Sequence, residues 1–257
     1  MRDLRDGSRL RRAHRQLHGA TRPAHVGLVM DGNRRWARAA GYSNPSLGHR
    51  VGAERVEDAL RWCEEWGIEQ LTIYVLSADN IRRRAGEQVD YLMGLIETVI
   101  TEKVLGGSGT WQLHVAGDER LLPESTAAAL REAMSRTQGR PRHLTLAIGY
   151  DGRGDVVAGV RAALLECLAA GPEGVGLEEV ASRFDADLIT RNLGGGPVKD
   201  IDLVIRTSGE QRLSGFFPWQ STHAEIYVSP KMWPAFTGAD FAEALVHYAR
   251  RNERRTA

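Results

Sequence analysis

"HVGLVMDGNRRWARAAGY", His25 to Tyr42, sets a short apolar run directly against Asp31, Gly32, Asn33 and a cluster of arginines. Val26, Leu28 and Val29 suit a buried strand, whereas Asp31 and the cations Arg34, Arg35 and Arg38 do not belong in a core. Two readings compete for this junction. In one, Asp31 caps a helix that begins near Asn33, a role aspartate fills readily. In the other, the strand ends where a divalent ion meets an anionic ligand. Gly32 permits a positive φ or a close backbone approach, and amides at a helix start attract anions. Arginines in the first turns oppose the helix dipole, so stability alone does not select them. An anionic ligand would offset that conflict.

Working outward, the same alternation of apolar run and helical pattern recurs. Val26–Met30, Leu71–Leu76, Trp111–Gly117, His143–Tyr150 and Asp202–Arg206 are β-rich and bounded by turn residues. Between them, Val51–Gly67, Gln88–Leu105, Glu124–Thr137 and Asp155–Ala170 carry apolar residues at three- and four-residue spacing. Gly67 suits a helix C-cap, and the glycine-rich Asn192–Asp200 suits a surface loop. Strand, helix, strand repeated predicts an α/β single domain with an open, mostly parallel sheet flanked by helices.

Composition narrows the function classes. Apolar residues make up 42% of the 257-residue chain and charged residues 26%, enough to bury a sizeable core. A net charge of +1 supplies no global field for nucleic acid, so none is expected as a partner and any basic site is local. Cys63 and Cys167 stand far apart with no metal-ligand spacing, which fits a reducing cytoplasm. No apolar run approaches a membrane span. Residues 1–24 hold seven arginines and two aspartates, which predicts a basic, flexible arm with the option of peripheral contact with anionic lipid. Residues 252–257 are expected to fray.

The polar residues then fall into a pattern. Asp31–Arg35 follows the first strand; Ser77, Asn80 and Arg83 follow the second; Arg206, Arg212 and Ser214 follow the last. In a parallel sheet these ends share one rim, and ligands gather there. Arginine forks beside a hydroxyl suit phosphate oxygens, so two anionic groups are expected on one rim. Hard oxygen donors would favour Mg2+. The chain has no GxxxxGK[ST] loop and no DDxxD pair, and "GGSGTW" (Gly106–Trp111) precedes a strand instead of joining strand to helix.

Taken together, "HVGLVMDGNRRWA", "GHRVGAERV", "YVLSADNIRRRAGE" and "IDLVIRTSGEQRLSGFFPWQSTHAEIYV" resemble the cis-prenyltransferases, the undecaprenyl diphosphate synthase family. The likeness covers residues 25–251, which it implies are the catalytic domain. The resemblance implies a homodimeric α/β fold with an apolar channel beside the sheet and Mg2+-dependent transfer of an allylic prenyl group. The usual acceptor is isopentenyl diphosphate and the new double bond is Z. By position, Asp31, Asn80 and Arg83 are implied as catalytic. Gly32, Asn33, Arg34, Arg35, Trp36, His49, Ser77, Ala78, Asp79 and Ile81 are implied at the allylic diphosphate. Arg206, Arg212, Leu213 and Ser214 are implied at the second diphosphate, and Asp31 and Glu225 as metal carboxylates, with Glu225 on the partner-facing part of the chain. Val75, Leu76, Val89–Val99, Phe216 and Phe217 are candidate channel walls.

The chain departs from the family pattern at several points. Arg34 stands where many members have glycine, and Pro45 where long-chain members carry arginine. Asp79, Ile81 and Arg84 replace the commoner Glu, Trp and Pro, and Pro218 and His223 are also unusual. These point toward a short or medium product and leave two alternatives. One is irregular head-to-middle coupling of two dimethylallyl diphosphates, with or without cyclisation. The other is a non-catalytic prenyl-phosphate-binding subunit.

Overall fold

The computed structural model describes residues 2–83, 86–171 and 176–256. Among these, six strands form one sheet: β1 (His25–Val29), β2 (Gln70–Ser77), β3 (Trp111–Ala116), β4 (Arg142–Tyr150), β5 (Leu203–Arg206) and β6 (Glu225–Val228). Their order is β3-β4-β2-β1-β5-β6 and every neighbouring pair is parallel. Five strands stand where the apolar runs predicted them. β6 was not foreseen, although Ile226, Tyr227 and Val228 are strong strand formers; it pairs only with β5, at the edge of the sheet.

Among the described residues ten α-helices connect and cover the sheet: α1 (Arg2–Gln16), α2 (Asn33–Ala39), α3 (Leu47–Trp66), α4 (Ala78–Arg83), α5 (Gly86–Thr98), α6 (Glu124–Arg136), α7 (Gly152–Ala170), α8 (Leu177–Ser182), α9 (Ala186–Arg191) and α10 (Gly238–Thr256). α5 runs on into a π-helical turn, Val99–Leu105. Gly67 ends α3 at φ 71°, as a left-handed C-cap does. Side chains alternate along each strand. Val26, Leu28, Ile73, Leu146 and Ile205 enter one core with α3, α5 and α10. Val29, Ala147 and Val204 enter a second core with Tyr150, Phe216 and Phe217 on the other face.

Two expectations are corrected. Residues 2–16 are not a loose arm: α1 lies along α10, with Ala13 and Leu17 buried. Arg9 donates to Asp240 Oδ1 at 2.7 Å and Glu243 Oε2 at 2.6 Å, and the His14 ring stacks on Trp66 at 4.3 Å. At the other terminus α10 stays helical through Thr256. The loop Asn192–Asp200 lies at the surface as expected, with Val198 exposed, and is tied to the sheet where amides of Gly194, Gly196 and Val198 donate to Asp155, Thr145 and Gln70. Both cysteine thiols are free and buried. Among the described residues no helix is long and apolar enough to cross a membrane. Arg84 lies outside the described residues.

Candidate active site

β2, β1 and β5 are neighbours, so their carboxyl ends meet on one rim. There they open onto a cavity of about 460 Å³. Its mouth is lined by Asp31, Gly32, Asn33, Arg34, Arg35, His49, Ser77, Asn80, Arg206, Arg212 and Ser214. Its interior is lined by Val56 of α3, Ile73 and Leu146 of the sheet, and Leu92, Leu95, Ile96 and Val99 of α5 and its continuation. A charged mouth on an apolar interior is the division that an anionic head and a hydrocarbon tail require. Val75 and Leu76 both line it. The pairing of β2 with β4 shifts register beside them, and such irregularities re-aim side chains that strict alternation would separate.

Asp31 does not cap α2. The N-cap is Gly32, at φ 96°, with no side-chain cap. A Cβ there would meet Met232 and Ser208 at 2.9 Å, so glycine is needed for space as well as for backbone shape. Asp31 Oδ1 accepts from the Gly32 amide at 2.7 Å, and Oδ2 accepts from Arg206 Nη2 at 2.9 Å. Thr207 clamps the Asp31 backbone, its Oγ1 lying 2.8 Å from both the amide and the carbonyl oxygen. Arg35 stands 3.8 Å from the carboxylate and donates to Ser208 Oγ at 2.5 Å. α2 has only seven residues, so the positive charge at the end of β1 comes chiefly from the Arg34 and Arg35 side chains and not from the helix dipole.

Arg206 ends β5 and is only 5% exposed. One Nη bonds Asp31, while the other bonds Ser214 Oγ at 3.0 Å and the Arg212 carbonyl. This wires the first strand tip to the loop after β5. In that loop Ser208 and Ser214 take φ of 75° and 52°, a conformation that costs non-glycine residues of order 1–3 kcal/mol each. Bonds from the Ser208 and Gly209 amides to the Lys231 and Ser229 carbonyls offset part of it. Arg212 reaches the mouth with its side chain 75% exposed, 3.5 Å from Glu210.

Not every residue expected at the site reaches it. Ser77 Oγ accepts from the Asn80 amide at 3.1 Å, and both line the mouth. Ala78 is buried in packing, and Ile81 packs on the main core. Asp79 and Arg83 instead pair with each other at 3.1 Å on the outside of α4, 65% and 78% exposed. Trp36 packs against Tyr42, and Leu213 joins the second core. Phe216 and Phe217 are not channel walls, because they lie in the core on the opposite sheet face. Glu225 is also removed from Asp31. It pairs with Leu203, at the amino ends of the strands, and meets Arg251 at 3.2 Å beside a second cavity. Within one chain the two proposed metal carboxylates therefore sit on opposite rims.

Sequence reasoning passed over Tyr74, Thr207 and Trp233. Thr207 carried a signal, standing between Arg206 and a Ser-Gly turn. Tyr74 and Trp233 looked like ordinary core residues.

Among the described residues no three His, Cys, Asp or Glu side chains converge on a metal. Asp31 is the one carboxylate among the residues lining the large cavity, and its side chain is 35% exposed. One carboxylate completed by substrate oxygens and water fits Mg2+, which keeps waters and seldom takes an all-protein cage. Two buried atoms without partners among the described residues, Arg206 Nε and Asn33 Oδ1, belong to the same mouth.

Comparison with known proteins agrees with this geometry. The undecaprenyl diphosphate synthase family model matches residues 29–256, and the chain belongs to that family, the cis-prenyltransferases. It is 46% identical to an isoprenyl transferase of Streptomyces fradiae over 247 residues, covering 95% of this chain and 94% of that one. It is 43% identical to a short-chain Z-isoprenyl diphosphate synthase of Mycobacterium leprae over 235 residues, 90% and 87% of the two chains. The crystal structure of lavandulyl diphosphate synthase from Lavandula x intermedia, in complex with dimethylallyl diphosphate, superposes with a TM-score of 0.79 at 31% identity, covering 88% and 95%.

Proposed function

We propose that this chain transfers an allylic prenyl group from its diphosphate to isopentenyl diphosphate, with Mg2+, giving a Z-configured isoprenyl diphosphate of short or medium length. One observation carries the reading: a single cavity has Asp31, Arg206, Arg212 and Ser214 at its mouth and an aliphatic interior. Family membership and the short-chain relative support it.

In this reading the first strand tip, with Asp31, Asn33, Arg34, Arg35 and His49, receives the allylic diphosphate. Mg2+ held at Asp31 would neutralise charge on the leaving diphosphate as its C–O bond breaks. Arg34 and Arg35 add fixed positive charge where that anion develops. The aliphatic interior holds the tail and excludes water that would capture an allylic cation. Arg206, Arg212 and Ser214 hold the second diphosphate, and Ser77 and Asn80 place its alkene. Arg83 joins them only by leaving Asp79. A cytoplasmic homodimer belongs to the same proposal, as does contact of the exposed Arg11, Arg12 and Arg15 of α1 with anionic lipid.

A second reading is favoured by the likeness to lavandulyl diphosphate synthase: irregular coupling of two dimethylallyl diphosphates. Purified protein is incubated with Mg2+ and dimethylallyl, geranyl or farnesyl diphosphate, with and without isopentenyl diphosphate, and products are identified by mass spectrometry. The proposal expects a Z-product only when isopentenyl diphosphate is present, and no turnover in EDTA. Coupling of dimethylallyl diphosphate alone supports the second reading. No product in any combination, with prenyl diphosphate still bound, supports a non-catalytic subunit.

A further inference from the structure

We propose that the Tyr74 hydroxyl is a positioning group that fixes the loop carrying Arg212 and Ser214 against the end of β2. It thereby sets the second diphosphate relative to the leaving group. This rests on the assignment of Arg206, Arg212 and Ser214 to the second diphosphate.

Tyr74 lines the cavity but packs on the sheet face opposite the aliphatic interior. Its ring is held by Tyr150 edge-on, with centroids 6.1 Å apart, and by Phe216 at 5.6 Å. That grip aims the phenol at the rim, where its hydroxyl donates to the Ser214 carbonyl at 3.4 Å. That bond ties the end of β2 directly to the loop after β5.

The loop needs such a tie. Ser214 holds a left-handed φ of 52°, and a position of that kind persists only when its surroundings over-determine it. Arg206 fixes the Ser214 side chain, and Tyr74 fixes its carbonyl. Burial holds the phenol above its ordinary titration range, so it remains a donor at neutral pH.

The test is steady-state kinetics of Tyr74→Phe and Arg212→Ala, each substrate varied in turn, with thermal melting alongside. Phenylalanine keeps the ring packing and removes the hydroxyl. The expected result is a rise of about two- to ten-fold in KM for isopentenyl diphosphate, the worth of one neutral hydrogen bond. The allylic KM and melting temperature should stay as in the wild type. If Arg212→Ala raises that KM and Tyr74→Phe does not, or if Tyr74→Phe shifts both KM values equally or lowers the melting temperature, the positioning role is overturned. If Arg212→Ala also leaves it unchanged, the second diphosphate lies elsewhere and the proposal falls with it.

Discussion

Asp31→Asn separates what the carboxylate does for the fold from what it does for chemistry. Asparagine keeps the shape and one acceptor for the Gly32 amide, but it removes the charge facing Arg206. That contact is a 2.9 Å charge-assisted hydrogen bond between a guanidinium 6% exposed and a carboxylate 35% exposed. Such bonds contribute about 1.5–3 kcal/mol, and fully buried pairs cost about 3–5 kcal/mol to break. Because Asp31 faces the open mouth, the lower end applies, about 1.5–2 kcal/mol. In a chain of this size that is a fall in Tm of about 3–8 °C, so the variant still folds. A metal-bound carboxylate supplies several kcal/mol in the transition state. About 4 kcal/mol corresponds to roughly a thousand-fold loss of kcat/KM. The assay is turnover at saturating Mg2+ beside a calorimetric melt. Activity within ten-fold of wild type would refute the metal assignment, and an unchanged melt would refute the Arg206 pairing. Asp31→Ala, which also strips the Gly32 acceptor, should melt lower still.

Other consequences follow from single contacts. In Gly52→Ala the new methyl would lie 2.4 Å from Asn33 Oδ1 and 2.9 Å from the buried Trp233 ring. It should cost about 1–3 kcal/mol and raise the allylic KM, and a normal melt with normal kinetics would contradict it. Arg9→Ala removes a partner from Asp240, whose side chain is 4% exposed, and should lower stability by about 1–2 kcal/mol; urea unfolding unchanged by it would mean that α1 adds nothing to the domain. Burial pulls His25 down to about 4, with its ring nitrogens at Asp200 O and Thr72 Oγ1. The unfolded chain therefore binds the proton first. The contribution is complete above pH 6.5 and is lost as pH falls from 6.5 toward 4, at most about 3 kcal/mol. Burial lowers His114 to about 4 as well, with a smaller effect because it is half-exposed. Urea midpoints equal at pH 7.5 and 5.0 would exclude this.

The first five strands, the helices between them and the three polar strand tips were legible in the sequence, because each is encoded within a few neighbouring residues: a run of β-branched side chains, a three-four spacing, an acid or arginine after the run. The parallel order that brings Asp31, Asn80 and Arg206 to one mouth was inferable from the alternation of elements. What a side chain faces beyond its own segment was not. Glu225 is at the amino end of a four-residue edge strand whose register is set by β5, and so it lies across the sheet from Asp31. Arg83 and Asp79 are captured by each other one turn along α4. Phe216 and Phe217 follow a tight turn onto the opposite sheet face. α1 resembles a solvated arm until α10 supplies Asp240 and Glu243 for Arg9. Tyr74 looks like any core tyrosine until the fold lays the Ser214 carbonyl beside its hydroxyl. Local propensity fixes which elements form, whereas register, irregular pairing and distant charges fix what each side chain meets.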